Sequence, residues 1–444
     1  MDNVPHMLSR RDMLIQVALA APVLFGGCRI GAPAPRSPGA TPAAKGPASL
    51  SYWTWASTLD YPIHQQWAES FTKNVRSETR VELTAVTESY LDKLIAALAG
   101  GTPPDLAWSQ TTQFPILAAM GGLADLTPLH QRSAHSLWND YFTPQFDNFK
   151  WRGKQLGVPW DLGTEGLFYN KRLFQDAGQP FPTDAWTWDD YYAAATRLTR
   201  GQGDEKIFGG ILGSTSYYWL YPLLRSQGGE YFSEDNTKVN ITSSSFIDAL
   251  ERIASQYYRL QTHPVTGELR VQGNPFTRSR VAMGFYFSFS IQGFKTDVQN
   301  AGFHLEWDAV RIPRGIRCGQ AVGGSGYIIP KDGKYQETAW EALKYFAKHA
   351  VEDLARAGRQ LPATVSQAPL AIPADGVPKN YQAAFIDTIP ACGKAVFYGT
   401  QFVEIDKLLT PALRDVLDGK QPAKAAMEAI APPLQAVLDT AQPG

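Results

Sequence analysis

Flat aromatic rings beside small polar or amide residues recur in this chain where a segment turns. Trp53, Trp55 and Ser57 stand at alternate positions, and Trp108 precedes Ser109, Gln110 and Gln113. Trp160 adjoins Asp161, Ser216 opens the run Tyr217, Tyr218, Trp219, and Tyr286 and Ser288 flank Phe287. Gly323 and Gly324, before Ser325, let backbone N–H groups approach a partner closely. A ring face suits the C–H face of a solute, while hydroxyl, amide and carboxylate neighbours exchange hydrogen bonds with its edge. Such a set would suit a polyhydroxylated solute.

Catalytic signatures are missing from the sequence. Ser325 has Tyr327 rather than Gly two residues on, so there is no nucleophile elbow. No P-loop and no Gly-x-Gly-x-x-Gly run follows a predicted strand. Of the 7 His, only His130 and His135 lie close together, with a spacing and loop setting that do not suit a metal. Asp161 with Glu165 or Glu88 could be nominated as a hydrolytic carboxylate pair, but any large chain supplies such pairs.

The rings compete with the core for their own positions. Trp53 and Trp55 point to one side of a strand, so one of them serves packing. Trp108 falls inside a buried strand and suits the core. Tyr217, Tyr218 and Trp219 are consecutive and cannot all face one way; Tyr218 is the preferred contact.

The elements that must position these residues alternate. Apolar-polar alternation predicts strands over 49–56 and 81–85, and a short third one over 105–109. Helical periodicity predicts helices over 62–74, 90–99 and 114–120, the last two closed by paired glycines. Strand-helix alternation at this spacing implies a parallel, doubly wound sheet, whose ligands sit beyond the carboxyl ends of the strands. Further along, Thr187 and Asp190 form a capping box opening a helix over 188–198. Ser245 is expected to cap a helix over 246–260. Strands are expected over 281–287 and 326–330, and helices over 337–348, 402–417 and 423–438.

Composition bounds the class. The 444 residues suit two or three domains, and a net charge of −1 argues against a general nucleic-acid binder. Residues 1–28 read as a secretory signal peptide: Ser9-Arg10-Arg11, then an apolar run over 14–25 too short to span a bilayer. The paired arginines resemble a twin-arginine export signal, with Met13 where Phe is usual, so the Sec route stays open. Cys28 after Gly26-Gly27 resembles a lipobox cysteine, which would carry a lipid anchor. Residues 29–47, rich in Ala, Pro, Gly and Ser, have too little apolar bulk to fold and read as a disordered tether. Of the 3 Cys, Cys318 and Cys392 remain, either bonded in an oxidising compartment or separate.

Several stretches resemble the extracellular solute-binding proteins of bacterial ABC transporters, of the maltose- and sugar-binding type. They are Tyr90-Leu91-Asp92-Lys93-Leu94 through Thr102-Pro103-Pro104-Asp105, Gly122-Leu123-Ala124-Asp125-Leu126, and Gly153-Lys154-Gln155-Leu156-Gly157-Val158-Pro159. Leu167-Phe168-Tyr169-Asn170-Lys171, Trp186-Thr187-Trp188, Arg280-Val281-Ala282-Met283 and Leu361-Pro362-Ala363 follow in the family's order. The resemblance implies a two-lobed α/β periplasmic-binding-protein fold, each lobe a doubly wound sheet flanked by helices, with the ligand in the cleft between. It places one lobe at 48–160 plus 322–355 and the other at 161–321 plus 356–444. It puts Trp160-Asp161 at a crossing and adds Arg359, with Gln360, as a position that reaches the ligand. Implied partners are a mono- or oligosaccharide, ABC permease subunits and a membrane through lipid at Cys28. No cofactor, metal or nucleic acid is implied, and the state is a monomer. The alternatives are a secreted glycoside hydrolase, or the same fold binding a glycerol phosphate derivative.

Overall fold

The computed structural model describes residues 49–56, 61–133, 137–269, 271–302, 304–395 and 399–440. The segments read from the sequence as a signal peptide and a tether, with Cys28, Ser57 and His135, lie outside them.

Nine strands build two sheets: β1 (Ser49–Thr54), β2 (Arg80–Ala85), β3 (Leu106–Gln110), β4 (Gly157–Pro159), β5 (Glu165–Asn170), β6 (Phe208–Leu212), β7 (Val281–Phe287), β8 (Trp307–Arg311) and β9 (Ser325–Ile328). The first sheet has the order β2-β1-β3-β9-β4 and the second β8-β5-β7-β6. As the alternation predicts, β1 pairs in parallel with both β2 and β3. Strand β9 then returns antiparallel to β3 and β4. In the second sheet β6 and β7 are parallel, while β5 runs antiparallel to β7 and β8.

Both faces of the second sheet are covered, which is why its central strand Val281–Phe287 reads as a continuous apolar run rather than an alternating one. Phe168, Tyr286 and Ala309 face the apolar cluster that also contains the first sheet. Leu167, Tyr169, Met283 and Phe285 face a second cluster built with helices Trp188–Leu198, Ser244–Tyr258, Phe402–Leu417 and Ala423–Asp439. On the first sheet, helix Tyr61–Asn74 buries Trp67 and Phe71, and helix Gln336–Tyr345 buries Trp340 and Leu343.

The capping box at Thr187 is present, with the hydroxyl accepting from the Asp190 amide. At the next helix the cap is Ser243, not Ser245, and Ser243 Oγ accepts from Phe246 N at 3.3 Å. Three consecutive serines offer the same cap chemistry, and only the turn made by Ser243 N bonding Asn240 O selects the register.

The chain passes between the sheets beside two short pairings. Asp161–Leu162 pairs with Leu361–Pro362, and Ala321–Val322 pairs with Lys394–Ala395. A single bridge joins Gly163 to Gly323. A disulfide links Cys318 to Cys392, with Cα atoms 5.8 Å apart. Among the described residues, no helix is long and apolar enough to cross a membrane.

Candidate functional site

Where the two sheets meet, a cleft of about 380 Å³ opens beyond the ends of β3, β7 and β9. From the first lobe it is lined by Gln110, Thr111, Thr112 and Gln113, and from the crossing by Asp161, Leu162, Gly163, Gly323 and Gly324. The opposite wall carries Tyr218, Trp219, Phe287, Phe289 and Phe402, with Gln360 at the edge.

The polar wall is held by backbone chemistry. Strand β3 ends at Gln110, and the chain turns so that Thr111 N donates to Gly324 O at 2.9 Å. Gln113 N donates to Gln110 O at 3.0 Å, which opens helix Phe114–Ala119. The Gln113 Oε1 is buried with no hydrogen-bond partner among the described residues. An unmet acceptor on a cleft wall costs the protein free energy unless a bound molecule donates to it.

Asp161 sits at the crossing. Its Oδ1 accepts from Ser325 N at 2.6 Å and from Ser325 Oγ at 2.7 Å. Its backbone carbonyl accepts from Gln145 Nε2 at 2.8 Å. Burial pushes the carboxyl up to about 7, against the pull of the two Ser325 donors. Gly324 is needed beside it, because a Cβ there would stand 2.6 Å from the Asp161 carbonyl oxygen.

The aromatic wall is built by edge-on contacts. Trp219 meets Phe287 at 4.7 Å between centroids and 76° between planes, and Phe289 at 6.0 Å and 84°. Phe287 and Phe289 stack at 5.4 Å. Phe289 remains 44 % exposed, so its ring is presented rather than stored in the core. Tyr218 leans on Phe402 at 5.8 Å. Gly213 makes room for this arrangement, since a Cβ there would meet Phe285 O at 2.3 Å and Trp219 at 3.3 Å.

The structure therefore brings Gln110, Gln113, Asp161, Tyr218, Trp219, Gly323 and Gly324 together around one space. The other candidates lie elsewhere. Trp160 is buried in the first core, where its indole N–H donates to Ser325 Oγ. Ser109 is fully buried, with its hydroxyl on Gln110 O. Ser216 is the N-cap residue of helix Tyr217–Ser226, and its hydroxyl meets that of Ser214. Tyr286 faces away from the cleft, packed on Phe276 and Phe294 with its hydroxyl on Asn274. Ser288 is buried off the lining. Trp55 is 45 % exposed and its ring lies 6.0 Å from that of Trp108, outside the lining. Arg359 is half-buried, and it is the next residue, Gln360, that lines the cleft.

Phe289 and Phe402 line the cleft outside every stretch that the sequence singles out for ligand contact, while Thr111 and Phe287 lie within such stretches but are passed over for their neighbours. For Phe287 a signal existed. Tyr286 and Phe287 alternate along β7, so one faces each side, and the aromatic neighbours on the helix before decide which. Phe402 comes from a helix distant in sequence, which no local pattern could reveal.

The sequence profile of the bacterial extracellular solute-binding proteins matches residues 52–353. The diacetylchitobiose-binding protein of Streptomyces coelicolor is 25 % identical over 334 residues, 71 % of this chain and 73 % of that protein. An arabinooligosaccharide-binding protein of Bacillus subtilis is 25 % identical over 326 residues, 69 % of this chain and 70 % of its own. The fold matches an ABC substrate-binding protein of Listeria monocytogenes, solved in complex with cycloalternan. That match has a TM-score of 0.76 at 22 % identity and covers 88 % of this chain and 99 % of the other.

Proposed function

The chain belongs to the bacterial extracellular solute-binding proteins, and from that membership we propose that its cleft captures an uncharged carbohydrate for an ABC importer. The observation that carries this reading is the division of labour across the cleft. Rings come from one lobe, amides, hydroxyls and glycine backbone from the other side, and no Lys, Arg or His lines it among the described residues. Asp161 is the lining's carboxyl, and the Gln113 acceptor awaits a donor such as a sugar hydroxyl. The relatives named above bind oligosaccharides, which agrees with this reading.

A ligand touching both walls favours the closed arrangement by its differential affinity, and the crossing segments take up the backbone change. Sheet membership supports one lobe within 48–160 plus 322–355 and the other within 161–321; residues 356–444 hold no strand of either sheet, and Ala363 N and Val365 N donate to Trp160 O and Asp140 O. Within that tail, Phe385 packs on the second sheet, its ring 5.7 Å from that of Phe168 and its carbonyl accepting from Thr164 Oγ1.

The alternatives draw less support. A glycoside hydrolase needs two carboxyls facing one bond, but Asp161 is tied to Ser325, and neither Glu165 nor Glu88 lines the cleft. A glycerol phosphate derivative would need a basic group that the described lining lacks. Export through the twin-arginine head and anchoring through lipid at Cys28 rest on the sequence alone; Cys28→Ser should free the protein from membranes in a fractionation assay.

Differential scanning fluorimetry against neutral mono- and oligosaccharides and their phosphorylated counterparts tests the function. A neutral saccharide should raise Tm, by linkage of binding to folding. Stabilisation by phosphorylated sugars only, or consumption of the saccharide, would contradict it.

A further inference from the structure

A second cavity, of about 400 Å³, lies against the disulfide and away from the cleft, lined by the segment 311–320 together with Asp184, Thr388, Ala391 and Cys392. Its lining carries three arginines and one aspartate, where that of the cleft carries no basic side chain among the described residues. Arg311 Nε donates to Ala383 O at 2.8 Å and Arg314 Nε to Asp184 O at 3.1 Å. These bonds anchor each guanidinium to backbone and leave its terminal nitrogens without a carboxylate among the described residues. The nearby acid is already engaged: Asp184 accepts from Arg311 N at 3.1 Å and from Asn380 Nδ2 at 2.9 Å on both oxygens. Arg317, also on the lining, is paired with Glu230 at 3.3 Å.

A third donor points to a ligand independently. Gln320 is 1 % exposed, lines this cavity, and its Nε2 has no partner among the described residues. A buried donor left unmet costs stability, and one retained beside two unpaired guanidinium groups has the form of an incomplete anion cradle. The walls are rigid. A Cβ on Gly315 would stand 1.9 Å from Ser226 O, and one on Gly319 2.1 Å from Pro222 O, so the loop backbone lies directly on helix Tyr217–Ser226. The disulfide pins its end. Ile316, 81 % exposed, projects at the rim.

We propose that this second cavity binds a phosphate group, with Arg311 and Arg314 as its charged donors and the Gln320 amide as a third. The phosphate could belong to a small soluble anion or to a lipid headgroup, the second favoured by the exposed Ile316 beside the arginines.

Isothermal titration calorimetry of the full chain with inorganic phosphate, and flotation with phosphatidylglycerol or phosphatidylcholine vesicles, test it. Heat with phosphate identifies a free anion, and flotation with phosphatidylglycerol alone identifies a headgroup. The Arg311→Gln, Arg314→Gln double variant should lose at least tenfold in whichever is seen, with saccharide binding unchanged. Gln320→Met should weaken it several-fold while melting no lower than the parent. Arg314→Gln, at an exposed position, gives the same readout should the double variant not fold. No phosphate heat and no selective flotation, or either one surviving all three variants, would overturn the proposal.

Discussion

At the scale of single residues, the cleft depends on a few rings and one carboxyl. Trp219 is half-buried, touching Phe287 and Phe289 with the edge of its ring, so its removal trims the wall without emptying a core. Loss of a stacking ring worth about 1.4 kcal/mol corresponds to about tenfold in affinity. Trp219→Ala should show that loss by titration calorimetry, with an unchanged circular dichroism spectrum; full affinity would move the ligand elsewhere. Asp161 makes a pH prediction. Its carboxyl is raised from 3.8 to about 7 in the folded protein, and burial pushes Glu165 in the same direction. Folding therefore favours the protonated forms: their stabilisation is complete below about pH 4 and is lost as pH climbs through 7. Between pH 5 and pH 8 the parent's urea midpoint should fall relative to that of Asp161→Asn, which keeps an acceptor for Ser325; His263, which burial pushes down to about 3, acts in the opposite sense and equally in both proteins. An equal slope in the two proteins would remove Asp161 as the cause of that fall. The ring-and-amide chemistry was legible at this scale, but the facing of individual side chains was not. Tyr286 and Phe287 differ by one position, and only the sheet decides which one lines the cleft.

At the scale of elements, segments with strong local signals were legible, whereas strands Glu165–Asn170, Phe208–Leu212 and Trp307–Arg311 of the second sheet were not read from the sequence. Helices Tyr90–Ala99 and Trp188–Leu198 and strand Val281–Phe287 fall where periodicity and caps place them. Their signals are local: a capping box at Thr187, glycines after Ala99, an unbroken apolar run in a sheet covered on both faces. What was not legible is the register between distant segments. The pairing of Asp161–Leu162 with Leu361–Pro362 joins residues some two hundred positions apart, and no spacing rule announces it. Gly324 shows how tightly such crossings fit. An added methyl would meet the Asp161 carbonyl oxygen at 2.6 Å and the Leu162 Cα at 2.8 Å, both backbone atoms. Gly324→Ala should lower stability by about 1–3 kcal/mol in denaturant unfolding, and weaken ligand binding by displacing Asp161. A variant as stable as the parent would mean that the crossing strands can separate freely.

At the scale of the whole molecule, two lobes meet across a lining that offers ring faces from one side and neutral hydrogen-bonding groups from the other. The cleft has no basic side chain among its described residues, and the arginine-lined cavity sits at the disulfide instead. The two-lobed architecture was legible because family-like segments recur in order along most of the chain. The part played by Phe402 was not, because the tail helix reaches the cleft only through the fold. The central claim is that the lobes hold a neutral saccharide and release it unaltered, and calorimetric titration of the protein with a panel of neutral oligosaccharides tests it most directly. We predict saturable heats with a stoichiometry of about one for at least one of them, a flat baseline afterwards, and loss of the signal in the combined Tyr218→Ala, Trp219→Ala variant. A sustained heat flow after each injection, the mark of turnover, or saturation undiminished in that variant, would contradict the account.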